Sequence, residues 1–182
     1  AHPDRVEEAV RASFAPLIRP RLGKLECQVK ARPDGPVRQV EDRMDVTQGK
    51  LAMGFRTGGI TLGHPDYPAL LVMNALYGGT STSKLFLNVR EKLSLCYFAS
   101  SMLDKLKGLL VVSSGVEFDK FGVAQEEILA QLEAVRGGQF SDRELEAARR
   151  AVSSSLRSAL DSQGRLEDHW TTQALSGRAL EG

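Results

Sequence analysis

Two stretches with the apolar patterning of β-strands, residues 94–103 and 108–116, are separated by only the four residues Asp104–Lys107. A connection this short joins antiparallel neighbours, because parallel strands need a crossover of a dozen or more residues. Period-2 alternation predicts two further strands, at 50–55 and 25–31. The chain is therefore expected to fold around an antiparallel-rich sheet.

The other apolar segments repeat every three or four residues, which is typical of helices. The predicted helices are 4–14 with Asp4 as cap, 66–76 ended by Gly78-Gly79, 82–92, 119–136, 141–160 with the capping box Ser141–Glu144, and 165 through Trp170 to Gly177. The 66–76 helix is apolar almost all round, so we expect it to be buried. The predicted inner face of the 119–136 helix consists of Phe121, Ile128, Leu132 and Val135. That of the 141–160 helix consists of Ala148, Val152, Ser155 and Ala159.

Strand and helix patterns occur in blocks rather than in single alternation. This order predicts an α+β fold, with an antiparallel-rich sheet and helices packed on one face. The net charge of +1 and the aromatic content of 6% disfavour a nucleic-acid partner, and no apolar run reaches the length needed to cross a bilayer. The two cysteines, Cys27 and Cys96, lie in apolar segments, so we expect buried thiols and a cytoplasmic location.

Metal and nucleophile motifs are absent from the sequence. The three histidines, His2, His64 and His169, have no second histidine three or four residues away, and there is no C-x-x-C. Cys96 lies in a strand pattern whose nearest cations are Arg90 and Lys92, and we interpret it as buried filler rather than as a reactive thiolate. The segment Gly78–Lys84 allows two interpretations, a phosphate-binding loop or a helix stop followed by a Ser/Thr-rich cap. The second is favoured because the glycine before the lysine is missing.

Arg90 and Tyr97 form the remaining polar pair that could carry chemistry. Arg90 is placed at the end of the 82–92 helix and Tyr97 on the strand that follows, with a turn at Ser94 between them. Together they could hold a peptide carbonyl or stabilise a developing oxyanion. Spacing alone favours the alternative that Arg90 pairs with a surface acid near Glu91 and that Tyr97 packs as a strand aromatic.

Several segments carry a resemblance to a known family, above all Ser83–Tyr97, which reads S-x-L-F-x-x-V-R-E-K-x-x-L-x-Y. Residues 48–55, His64–Tyr67 and Gly78-Gly79 belong to the same pattern, which runs from about 45 to 176. The sequence resembles the pitrilysin, insulin-degrading-enzyme and mitochondrial-processing-peptidase family of inverzincin zinc metallopeptidases. In that family homologous α+β domains close around a peptide, and the zinc-bearing half carries H-x-x-E-H. This sequence has no H-x-x-E-H, so it resembles the metal-free C-terminal half.

The resemblance implies roles and boundaries that the patterns alone do not give. Arg90 would hold a substrate carbonyl, and Tyr97 would hydrogen-bond the carbonyl or oxyanion of the cleaved bond. Residues 1–47 would be the terminal helix and connector of a preceding homologous domain, and 48–182 a metal-free domain that is incomplete at its C-terminus. Zinc would lie in the partner domain or subunit, with no cofactor in this one.

These implications favour the non-metal half of a zinc-dependent endopeptidase, which closes on the zinc-bearing half to enclose and orient peptide substrates. By itself this half would cleave nothing, since it lacks H-x-x-E-H. A non-catalytic partner or scaffold subunit of the same family is the alternative. A third and weaker hypothesis is a peptide-binding module that uses an exposed sheet edge.

Overall fold

The sheet is the centre of the fold. The computed structural model describes residues 2–17, 29–32 and 35–175, with the backbone alone at 175. Within these residues the strands are β1 (Gly49–Arg56), β2 (Cys96–Asp104) and β3 (Leu109–Val116), in the order β1-β3-β2 with both pairs antiparallel. The predicted hairpin and the strand at 50–55 are confirmed. Most of the strand predicted at 25–31 lies outside the described residues, and residues 29–32 form no strand.

Most helices occupy the predicted positions. They are α1 (Pro3–Phe14), α2 (Tyr67–Asn74) with a π-helical extension (Ala75–Gly79), a separate π-helix (Leu85–Lys92), α3 (Phe121–Arg136), α4 (Asp142–Ala159) and α5 (Gln163–Leu175), with short 3-10 turns at Ala15–Leu17 and Phe118–Lys120. Sequence spacing does not distinguish π from α geometry, so the π-helical segments were not expected. The predicted stop of α5 at Gly177 lies outside the described residues.

One face of the sheet forms the core with α2, the π-helical segments and α3. The core face of β3 carries four buried residues at alternate positions, Leu110, Val112, Ser114 and Val116, and Leu51 and Ala99 lie on the same face. Tyr77, fully buried in the extension of α2, donates a hydrogen bond of 3.0 Å to the backbone oxygen of Ile128 in α3. Burial raises the pKa of the Tyr77 phenol far above its ordinary value. The α+β fold with helices on one face is confirmed.

Several local predictions are wrong. The helix predicted to be buried all round is only half-buried along α2, with Pro68 and Ala69 exposed, because one side of it faces the sheet. Phe121 is 42% exposed, since side chains in a helix point back toward its start, and Phe121 is the first residue of α3. Ser155 is also exposed, because it lies in the stretch 153–158 of α4, which is exposed throughout, whereas Ala148 is buried and Val152 half-buried.

The first helix begins earlier than predicted, with its N-cap at His2 rather than at Asp4. Pro3 is its first residue and His2 occupies the N-cap position without a side-chain hydrogen bond, while Asp4 lies in the first turn. The apolar stripe of Val6, Val10 and Phe14 exists as predicted, yet α1 buries none of its residues. The stripe is therefore an apolar surface without a described partner.

Candidate functional site

A tight junction connects the Leu85–Lys92 helix to β2 and positions Arg90. The backbone N–H of Ser94 donates to the carbonyl of Arg90, and that of Leu95 donates to Val89, both at 3.1 Å. Ser94 reverses the chain with φ = 49°, a conformation in which residues other than glycine are uncommon. The turn predicted at Ser94 is therefore present, and it places the end of the helix beside the start of the strand.

A β-bulge at the start of β2 exposes Tyr97. Cys96 pairs with Val116 and Phe98 pairs with Gly115, so Tyr97 is an extra residue with no partner on β3. The side chain of Tyr97 is 57% exposed. It does not pack against the core as a regular strand aromatic would, because the bulge turns it away from the ladder.

The structure brings Arg90 and Tyr97 to the same open groove, whose volume is about 410 Å³. The other residues lining it are Glu91, Ser94, Leu95, Cys96 and Glu117. A residue from a helix end and a residue from a strand thus line the same space. The chemical roles of Arg90 and Tyr97 stay predictions.

Tyr97 has a charged neighbour in this groove, Glu117. The phenol of Tyr97 donates to Oε1 of Glu117 at 3.3 Å, and Oε2 of Glu117 lies 3.0 Å from Nζ of Lys120. The hydrogen bond and charge of Lys120, assisted by the bond from Tyr97, lower the pKa of the Glu117 carboxyl, and Glu117 in turn raises the pKa of Lys120. The Tyr97 hydroxyl therefore faces a carboxylate.

Arg90 keeps most of its donors available. Its Nη1 lies 3.3 Å from Oε1 of Glu91, and its guanidinium lies 4.7 Å from the centre of the Phe86 ring. The pairing with a surface acid, which spacing alone favoured, is therefore present. It does not use up the guanidinium, which has five N–H donors.

Glu117 and Lys120 were missed by the sequence reasoning. Pairing of Cys96 with Val116 places residue 117 opposite Leu95, so the contact between Glu117 and Tyr97 depends on the bulge, which spacing does not reveal. Lys120 follows one turn later, at the end of the 3-10 turn Phe118–Lys120.

The Gly78–Lys84 segment is a helix stop and cap, as favoured from the sequence. The hydroxyl of Ser83 donates to the carbonyl of Thr80 at 2.6 Å and accepts from the N–H of Phe86 at 3.4 Å. The ammonium of Lys84 forms an ion pair with Glu144 at 2.7 Å. The lysine is thus directed to α4 rather than to an anion site.

The remaining polar candidates have ordinary surroundings. Cys96 carries a free thiol and is half-buried on the groove wall rather than fully buried, while Cys27 lies outside the described residues. Nδ1 of His64 accepts from the N–H of Asp66 at 3.1 Å, and His169 packs edge-on against Trp170. Across residues 2–17, 29–32 and 35–175, no three His, Cys, Asp or Glu side chains converge to hold a metal ion. In the same ranges no helix has the length and apolar character to cross a bilayer.

This α+β domain falls in the class of metallopeptidase-like domains of the inactive type, as the comparison with protein families shows. The sequence profile described as "Peptidase M16 inactive domain" matches residues 2–152. The chain belongs to this family, as the resemblance predicted.

Relatives agree with this assignment. The chain is 42% identical over 137 residues to "Probable inactive metalloprotease YmfF" of Bacillus subtilis, a match that covers 75% of the chain and 32% of that protein. It is 28% identical over 172 residues to "Uncharacterized zinc protease YmxG" of the same organism, covering 88% of the chain and 41% of that protein. The chain therefore spans about a third of the length of the first relative and about two fifths of the second.

A solved structure supports the fold independently. The crystal structure of a conserved protein from Enterococcus faecalis V583 superposes with a TM-score of 0.71 at 31% identity, covering 81% of this chain and 36% of that one.

Proposed function

We propose that this domain is the metal-free half of a zinc-dependent endopeptidase, which closes on a homologous zinc-bearing half to enclose and orient a peptide. The observation that carries the proposal is the shared groove, in which Arg90 and Tyr97 present donors to the same space. Membership of a family of inactive peptidase domains supports it. Zinc would be held by the partner half, where it would polarise the scissile carbonyl and activate water.

In this proposal the residues of this chain bind and orient the substrate. The guanidinium of Arg90 has donors to spare beyond Glu91, and it holds a backbone carbonyl of the peptide. The hydroxyl of Tyr97 supplies a single donor to the oxygen that becomes negative during cleavage. Its bond to Glu117 is long and exposed, so the approaching oxyanion can replace it.

The surface of α1 supports a further part of the proposal, that residues 1–47 are the terminal helix and connector of a preceding homologous domain. Val6, Val10 and Phe14 form an exposed stripe that would pack on such a domain. The free thiol of Cys96 agrees with a reducing, cytoplasmic location.

A second candidate is a non-catalytic partner or scaffold subunit. The relative with 42% identity is named an inactive metalloprotease, and this favours it. The two candidates differ in one measurement on the complete protein, because an endopeptidase holds zinc in the other half and cleaves peptides, whereas a scaffold does not cleave.

The role of the groove is tested by Tyr97→Phe in the complete protein, with peptide cleavage as the readout. We expect kcat to fall by roughly 10²-fold, the scale of a lost oxyanion donor, with zinc content unchanged. Tyr67→Phe is the matched control, because it removes the same hydroxyl at the start of α2, outside the groove. Wild-type turnover in Tyr97→Phe would remove Tyr97 from the mechanism, and no cleavage by the unmodified protein would favour the scaffold.

A further inference from the structure

The Tyr97 side chain has one polar contact among the described residues, and that contact occupies its only O–H. The phenol donates to Oε1 of Glu117. The bulge leaves Tyr97 unpaired in the ladder and mostly exposed, so core packing does not fix its orientation. The hydrogen bond to Glu117 is thus the contact that sets where the hydroxyl points before substrate arrives.

Glu117 is itself held in place on both sides. It follows Val116, which is fully buried and paired with Cys96 and Gly49, so its backbone is fixed by the sheet. The N–H of Lys120 donates to the carbonyl of Glu117 at 3.1 Å, and its ammonium holds Oε2 at 3.0 Å. The carboxylate is therefore presented to Tyr97 by a strand end and a helical turn together.

We propose that Glu117 is a positioning residue that latches Tyr97: it holds the hydroxyl in the substrate-free groove and releases it to the oxyanion as negative charge develops. This inference rests on the proposed function, since it assumes that Tyr97 acts on the scissile bond. No covalent step is involved, because the O–H exchanges one acceptor for another.

The latch implies that Arg90 and Tyr97 bind the substrate at different stages of the reaction. Arg90 can bind a carbonyl without leaving Glu91, because it has other N–H groups. Tyr97 must give up a charged acceptor, and a neutral peptide carbonyl is a weaker acceptor than a carboxylate. Only the charged oxyanion competes well with Glu117, so Arg90 acts when the peptide binds and Tyr97 acts in the transition state.

The latch makes a prediction with a definite sign. Removing the carboxylate with Glu117→Ala frees the hydroxyl before substrate binds, so kcat/KM should rise by about 2- to 10-fold, the range of one exposed hydrogen bond. KM should fall, because the free hydroxyl can then also bind the ground-state carbonyl. Glu117→Gln keeps a neutral acceptor and should lie between Glu117→Ala and the wild type.

The experiment measures kcat and KM of the complete protein on one peptide, for Glu117→Ala, Glu117→Gln, Tyr97→Phe and the Tyr97→Phe/Glu117→Ala double variant. The latch predicts that Glu117→Ala has no effect once Tyr97 is Phe, because Glu117 acts through the hydroxyl. Glu133→Ala is the matched control, since it breaks an exposed pair of the same i,i+3 type, with Arg136, on α3.

The outcomes separate the latch from the proposed function. Wild-type turnover in Tyr97→Phe overturns the proposed role of Tyr97, and the latch with it. An impaired Tyr97→Phe together with unchanged or lowered kcat/KM in Glu117→Ala overturns the latch alone. A Glu117→Ala effect that persists in the double variant identifies a merely structural role and also overturns the latch.

Discussion

The ammonium nitrogen of Lys84 lies 2.7 Å from Oε1 of Glu144, and this contact ties the segment before the Leu85–Lys92 helix to the start of α4. The other oxygen of Glu144 accepts from the N–H of Ser141 at 2.8 Å, which completes a capping box. The Lys84 side chain is only 13% exposed and that of Glu144 31%. One carboxylate therefore caps α4 and fixes it beside the helix that carries Arg90.

The first prediction is that acid weakens this fold through Glu144. The hydrogen bond from Lys84, followed by that from the Ser141 backbone, lowers the pKa of the Glu144 carboxyl from 4.5 to about 2. A group with a lowered folded-state pKa stabilises the fold above its unfolded pKa, and this contribution is lost as the pH falls from about 4.5 toward 2. We expect Glu144→Gln to lower the free energy of unfolding by about 1–2 kcal/mol at pH 7, after allowance for solvent screening.

Urea unfolding of the protein at pH 7 and pH 3 checks this prediction. The difference between wild type and Glu144→Gln should shrink at the lower pH, because the Glu144 carboxyl of the unfolded chain is then protonated while that of the folded protein is still mostly ionised. Glu146→Gln is the control, since its pair with Arg149 is exposed and lies on the same helix. Equal losses in the two variants at pH 7 would argue against a special role for Glu144.

The second prediction concerns the shape of the Arg90 side chain. Arg90→Lys keeps the positive charge but loses the planar fork and the stacking on Phe86, so it should not be a conservative change. In the complete protein we expect kcat/KM on a peptide to fall roughly 10-fold in Arg90→Lys and further in Arg90→Met, the scale of one or two charge-assisted hydrogen bonds. Arg136→Lys, at the exposed end of α3, is the control, and activity in Arg90→Met equal to that of this control would exclude substrate binding by Arg90.

The third prediction tests why residue 115 is glycine. A Cβ at this position would lie 2.7 Å from Cε1 of Phe98, closer than carbon atoms can approach. Gly115→Ala must therefore turn the exposed Phe98 ring beside the Tyr97 bulge away from its rotamer, at a cost of about 0.5–1.5 kcal/mol in the free energy of unfolding. Gly54→Ala is the matched control on β1, because nothing lies within 4 Å of its added Cβ. The two thermal or urea midpoints are compared directly, and similar midpoints would contradict this account.

The sequence predicted the elements whose signals are local. Three such signals depend only on neighbouring residues, and each appears in the structure. They are the short connection 104–107, the alternation of apolar Leu51 and Met53 with their neighbours, and the capping box Ser141–Glu144. Arg90 was expected at a helix end beside a turn at Ser94, and it lies there.

The features that were missed depend on contacts between distant segments. The bulge at Tyr97 is a register shift between two strands, and neither strand reveals it alone. The partner of Lys84 is 60 positions away in the sequence, on α4, and the exposure of Phe121 depends on where α3 begins relative to the sheet. Spacing rules describe one element at a time, so they do not contain this information.

The last prediction concerns Ser94, whose left-handed conformation sets the distance between Arg90 and Tyr97. Its φ of 49° suits glycine and is strained for a β-branched residue. Ser94→Gly should leave stability equal or slightly higher, whereas Ser94→Val should lower the free energy of unfolding by about 1–2 kcal/mol. Because the N–H of Ser94 donates to the carbonyl of Arg90, the strained variant should also lower peptide cleavage by the complete protein. Ser100→Val, at an exposed position of β2, is the control for adding the same side chain to a strand, where β-branched residues are favoured. If Ser94→Val matched this control in both stability and activity, the turn would not be what holds the two groove residues together.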